Sequence, residues 1–132
     1  MKPTVYILLR LGAGVSMLGH GLVRLPKLKL FSAWMSGAFK DSMLPHPLIA
    51  VFSYMLPLAE FTIGALLLTG LFTRKALLSA GVVMLLLILG TCLIENWEAI
   101  PSQLIHLIFF GVLLQYINSN SYAVDNLLHT KE

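Results

Sequence analysis

The sequence predicts an all-α membrane protein, a four-transmembrane-helix bundle with an amphipathic segment between its first and second helices. Three observations carry that prediction. Residues 4–23, 48–72, 74–94 and 100–117 form four apolar runs, and ~20 apolar residues rising 1.5 Å each span ~30 Å of hydrocarbon. Only 11% of the residues are charged and 58% are hydrophobic, whereas a soluble domain carries ~25% charged residues. Arg10 lies inside the first run and Glu60 inside the second. An ionised group at such a depth costs ~2.5–3.5 kcal/mol on insertion scales, so each should have a partner or a task.

The first run follows Lys2 and imitates a signal peptide, but Arg10 interrupts it and no small-residue cleavage site precedes a polar stretch. It reads as a retained helix. Gly12, Gly14, Ser16, Gly19 and Gly21 along it allow a neighbouring backbone to approach closely. In the long connection 24–47, Leu30, Phe31, Trp34, Met35 and Ala38 recur at helical spacing. That pattern predicts a helix lying at the interface over the bundle mouth, or a re-entrant lid over a ligand site.

On the second run Ser53, Pro57, Glu60 and Gly64 share one face, which should look inwards because lipid offers such groups no partner. The second and third runs meet at a basic turn, Arg74 and Lys75. The third and fourth meet at an acidic turn holding Glu95, Glu98 and an interfacial Trp97. Pro101 suits the first turn of the last helix, where its missing N–H costs nothing. The tail after Asn118 is short and polar. Residues 1–132 read as a single domain.

The net charge of +3 is scattered between apolar runs, which fits anchoring to the lipid bilayer and leaves no nucleic-acid footprint. The single cysteine, Cys92, excludes an intrachain disulfide and a CxxC redox pair. Alone, it reads as a small buried apolar residue. The expected location is a bacterial cytoplasmic (inner) membrane, crossed several times. The basic residues divide evenly between the two sides, so the short Arg74 and Lys75 turn and the opposing glutamates decide. They favour both termini on the cytoplasmic side.

Depth then predicts contacts. Arg10 lies about six residues (~9 Å) into its run, and Glu60 about twelve residues (~18 Å) into a run entering from the opposite side. In a core ~30 Å thick these depths nearly coincide, which predicts a buried Arg10–Glu60 ion pair, either a clamp on helix register or a functional group. A second polar set, His20, Cys92, Glu95, Gln103 and His106, gathers towards the long-connection side. His20, Glu60, Gln103 and His106 are predicted to line one inward-facing pocket under residues 24–47, with Phe31 and Trp34 covering its opening. No metal site is expected, since no HxxH or HExxH spacing is present. The histidines instead fit hydrogen bonds across helices or donation to a quinone-like carbonyl.

The stretch 58–74, with Glu60, Gly64, Gly70 and Arg74, resembles the second-helix signature of the DoxX family of small bacterial integral membrane proteins. So do Arg10 and the run His20, Gly21, Leu22, Val23, Arg24, where the family usually shows a polar residue, glycine and then lysine. Ser119, Ser121 and Asp125 resemble the family's closing motif, with Asn120 and Val124 in place of the usual glycine and leucine. The resemblance implies a four-helix membrane protein that partners a quinone-linked redox complex.

Three function classes follow. The chain is an accessory subunit of a membrane redox system, associating with other membrane or redox proteins or with copies of itself. Alternatively it is a small quinone-binding oxidoreductase, with His20 and His106 around the headgroup. The third class is a proton or small-molecule transport protein working through Glu60. The absence of a haem, flavin or CxxC signature stands against a complete enzyme; no cofactor is required, and a quinone is the candidate that the histidines and the resemblance suggest.

Overall fold

Prolines and one left-handed glycine divide the chain into helices. The computed structural model describes residues 1–129. Helix α1, Pro3–Arg24, starts on a proline whose missing N–H is one no helix would use. A tight turn at Leu25–Lys27 leads into α2, Leu28–Ala38. Helix α3, His46–Thr69, is entered through Pro45 and closes at Gly70, whose φ of 70° lets its N–H reach the Leu66 carbonyl at 2.9 Å. Helices α4, Thr73–Leu93, and α5, Ile100–Gln115, are joined by a turn at Trp97–Ala99. The short α6, Val124–His129, ends the described chain.

Four helical stretches are long and apolar enough to cross a membrane: Pro3–Ala38, His46–Thr69, Thr73–Leu93 and Trp97–Gln115. No strand occurs among the described residues. The fold is thus the predicted all-α, four-span bundle, with α2 as the segment between the first two spans.

Glycines set how α1 meets α3. A Cβ on Gly21 would stand 2.5 Å from the Phe61 nitrogen, and one on Gly64 would run into the Leu18 backbone. Gly14 faces Leu68 in the same antiparallel register, where an added Cβ would lie 3.1 Å from the Leu68 nitrogen. The two backbones therefore touch without intervening side chains, the approach that small residues permit in membrane bundles.

That register overturns the expected Arg10–Glu60 pair. Arg10 lies beside Gly70, at the far end of α3, about ten residues of rise or ~15 Å from Glu60. Equal depth for Arg10 and Glu60 requires apolar runs that start and stop flush. In the molecule the glycine contacts stagger them, and α1 overhangs the end of α3.

Arg10 instead holds the C-terminal segment. It is buried, its Nη1 donating to Asn120 Oδ1 at 2.5 Å and its Nη2 to the Tyr122 carbonyl at 2.8 Å. Asn120 Nδ2 donates onward to Thr73 Oγ1 at 3.1 Å. Asp125 accepts the N–H groups of Phe72 and Thr73 at 2.6 and 2.9 Å, capping α4 from a distant part of the chain. Those bonds hold Phe72 at a φ of 49°, a left-handed conformation uncommon for a bulky residue. The left-handed Gly70 ends α3 before Leu71 and Phe72, where hydropathy would let the second apolar run continue.

Asp125→Ala should cost about 0.5–2 kcal/mol, the range for losing a helix cap. A thermal melt in detergent measures it. An unchanged midpoint would mean that the tail does not secure the turn.

The interior combines Tyr6, Met17, Leu67, Leu77, Phe110 and Leu113, all fully or nearly fully buried. Leu8, Leu58, Leu85 and Ile108 face outwards, each more than half exposed, as lipid-facing positions should be. Helix α2 follows the same logic, and the structure decides which side of it turns inwards. Its apolar stripe is split: Met35 is buried and Phe31 half-buried, while Leu30 and Trp34 point out. Polar Ser32 is buried instead, accepting a 2.7 Å hydrogen bond from Ser53. Where the outside is apolar, hydrophobicity no longer marks the buried face, and hydrogen bonding does.

Candidate functional site

The site begins with helical spacing on α1. Ser16, His20 and Arg24 follow one another at four-residue intervals and so share a face. That face meets Glu60 on α3 and His106 on α5. Arg24 Nη1 donates to both Glu60 oxygens, at 3.0 and 2.8 Å. The Glu60 side chain is 3% exposed and that of Arg24 is 30% exposed, so the carboxylate is the buried member of the pair. The Arg24 guanidinium also lies 4.6 Å from the centre of the Phe31 ring.

Both histidines have a ring nitrogen set by a backbone carbonyl. His20 Nδ1 donates to the Ser16 carbonyl at 2.9 Å, and His106 Nδ1 to the Ser102 carbonyl at 2.8 Å. In the neutral ring this leaves each Nε2 as the acceptor. His106 Nε2 then accepts from Ser16 Oγ at 2.7 Å, while His20 Nε2 has no hydrogen-bond partner among the described residues. The two rings stand edge to face with centroids 6.2 Å apart.

Gln103 is oriented by a similar chain. Its Nε2 donates to Thr91 Oγ1 at 2.8 Å, and that hydroxyl donates to the Leu87 carbonyl at 2.7 Å. Gln103 Oε1 remains a buried acceptor without a donor among the described residues. Such a group normally finds a partner.

Apart from Ser16 and Thr91, which support them from behind, these groups line a single cleft of about 280 Å³. The structure places every sequence-predicted pocket residue in its wall: His20, Glu60, Gln103, His106, Phe31 and Trp34. The Phe31 and Trp34 rings stack at 5.9 Å on one side. Arg10 is elsewhere, in the tail clamp, and Cys92 is half-buried outside the cleft lining. Among the described residues no group of three or more histidine, cysteine, aspartate or glutamate side chains could hold a metal ion.

Sequence reasoning missed Arg24 as the partner of Glu60, and with it Ser16 and Thr91. The four-residue spacing from Ser16 through Arg24 was the available signal, since it aligns a cation with the histidine face. The reach of the Arg24 side chain from the end of α1 back to Glu60 was not readable from the depth of its backbone.

In chemical terms the cleft offers a donor, an acceptor and a stacking surface together. Apart from the N–H groups held by Glu60, Arg24 retains donors without hydrogen-bond partners among the described residues. His20 Nε2 supplies an acceptor, and Phe31 and Trp34 supply aromatic faces. A planar ring bearing oxygen substituents matches that set.

Comparison with known families matches residues 5–93 to the DoxX family model. The matched stretch contains Arg10, His20, Arg24, Phe31, Trp34 and Glu60, while Gln103, His106 and the tail lie beyond it. No curated protein and no solved structure matches the chain.

Proposed function

Because the chain belongs to the DoxX family and carries four helices suited to spanning a membrane, we propose that it is an accessory protein of a quinone-linked redox system. In this reading it sits in the bacterial inner membrane with both termini on the cytoplasmic side, beside other membrane redox proteins or copies of itself. It holds a quinone headgroup in the cleft. The observation that carries the reading is the convergence of the Arg24–Glu60 pair and the two carbonyl-oriented histidines under the stacked Phe31 and Trp34 rings.

The donor set fits such a ring. A quinone carries carbonyl acceptors, and Arg24 supplies N–H groups beyond those used by Glu60. The reduced ring carries hydroxyl donors, and His20 Nε2 supplies an acceptor, as does Gln103 Oε1 once a donor reaches it. Bound there, the quinone would supply two-electron carrier chemistry. The protein's own part is to orient the ring, to stack upon it and to hold protons at defined nitrogens. The carbonyl bond to His20 Nδ1 keeps His20 Nε2 ready to accept, while that to His106 Nδ1 fixes His106 Nε2 as the acceptor of the Ser16 hydroxyl.

A quinone-headgroup analogue should raise the melting temperature of the purified protein. At a hundredfold excess over Kd, binding to the folded state stabilises by about 2.7 kcal/mol. The shift should largely vanish in His20→Ala and in His106→Ala, each compared with its own ligand-free melt. No shift with any analogue, or a shift that survives both substitutions, would overturn the reading.

A further inference from the structure

A second cavity adjoins the cleft. It is a groove of about 270 Å³ bounded by α2, α3 and α4 and by Leu44. Its chemistry is the reverse of the cleft's: every residue lining it is apolar or glycine, so nothing in it could satisfy a polar ligand. Met35, Phe39, Phe52, Leu86 and Gly90 line both cavities. Phe39 and Gly90 meet at this shared boundary, where a Cβ on residue 90 would stand 3.2 Å from the tip of the Phe39 ring. Glycine there leaves room for the ring. At its outer rim the groove opens past Leu48, Leu86 and Leu89, which are 56%, 48% and 56% exposed.

We propose that cleft and groove form one amphipathic site for a ligand with a hydrogen-bonding ring on a long hydrocarbon chain. The ring lies in the cleft and the chain in the groove. This rests on the headgroup reading of the cleft and adds the ligand's second half. Each cavity alone falls just below the ~300–1,000 Å³ usual for ligand sites, and joined they fall within it. A partner helix ~10 Å across is too thick for a groove of this size, whereas a single hydrocarbon chain is not. The five residues common to both linings set the two cavities side by side, with the Phe39 side chain between them, and that adjacency assigns the chain to the same molecule as the ring. The exposed rim gives it a way in from the side, through the hydrocarbon of the bilayer.

The test compares a methoxy-substituted benzoquinone without a side chain and the same ring bearing a decyl chain. Both are titrated calorimetrically into the full-length protein at one detergent concentration, with micelle partitioning measured separately. The decyl compound should bind at least about tenfold tighter, since each buried methylene adds to affinity. Leu48→Trp and Leu89→Trp, which fill the groove from its exposed rim, should bring the two compounds to within about threefold. Leu85→Trp, exposed and outside the groove lining, should leave the advantage intact.

Equal affinities in the wild type, or an advantage that survives both filling variants, would overturn the inference. If ring binding were still lost in His20→Ala, the headgroup reading would nevertheless stand. Binding of neither compound would remove both. A co-purifying phospholipid that neither compound displaces would assign the groove to a bilayer acyl chain and also overturn the inference. Should a tryptophan variant fail to fold, the comparison of the two compounds on the wild type still decides.

Discussion

Replacing Arg24 by leucine will destabilise the bundle by about 3–5 kcal/mol, the cost of stranding one member of a buried ion pair. The stranded group is Glu60, whose side chain is only 3% exposed. Glu60→Leu should cost less, because Arg24 is 30% exposed and its long stem lets the guanidinium turn towards water. The asymmetry distinguishes a buried carboxylate with an interfacial cation from two equally buried charges. The double variant should lose less than the sum of the single losses, with a coupling of about 0.5–3 kcal/mol. The matching cycle between Arg10 and Glu60 should be additive to within about 0.3–0.5 kcal/mol. Thermal or denaturant melts of the six proteins in one detergent measure both cycles. Coupling between Arg10 and Glu60 without coupling between Arg24 and Glu60 would contradict the register of α1 against α3.

Gly64→Leu is expected to be at least as damaging. A Cβ at that position meets the backbone of Leu18, which no rotamer change can move aside. Overpacking against side chains costs about 1–3 kcal/mol, and against backbone the helices must separate along their contact. Gly21→Leu should behave alike, since its Cβ meets the Phe61 backbone. Gly12 and Gly19 are the controls: an added Cβ at either has nothing within 4 Å. Alanine at these two positions should be neutral or stabilising by up to ~1 kcal/mol through helix propensity. Equal losses at all four positions would mean that the glycines serve backbone flexibility rather than close packing. Because α1 and α3 present Arg24 and Glu60 to one another, the Gly64 variant should also weaken binding of the quinone-headgroup analogue.

The four spans, the proline that starts the last of them and the inward face of α3 were legible because each depends on local chemistry. Apolar length reports membrane crossing, and Pro101 marks a helix start whatever the helix packs against. Glu60 was legible as a buried group with a partner, since a charge within an apolar run has few alternatives. Gathering His20, Gln103 and His106 at one end of the bundle needed only chain direction and rise per residue.

What the linear chain withheld was pairing. Arg10 and Arg24 are both cations on the first helix, and apolar depth favoured Arg10. The choice of Arg24 follows from the stagger that Gly14, Gly21 and Gly64 impose, a relation between helices that no single segment encodes. The grip of Arg10 on Asn120 and Tyr122, and of Asp125 on the start of α4, closes loops of more than fifty residues. The outward turn of Trp34 and the burial of Ser32 likewise depend on surroundings. Next to lipid, the hydrophobic effect sets which segments enter the membrane but not which face turns inwards. Inside the bundle, that second decision falls to backbone contact and hydrogen bonding, which only the assembled structure specifies.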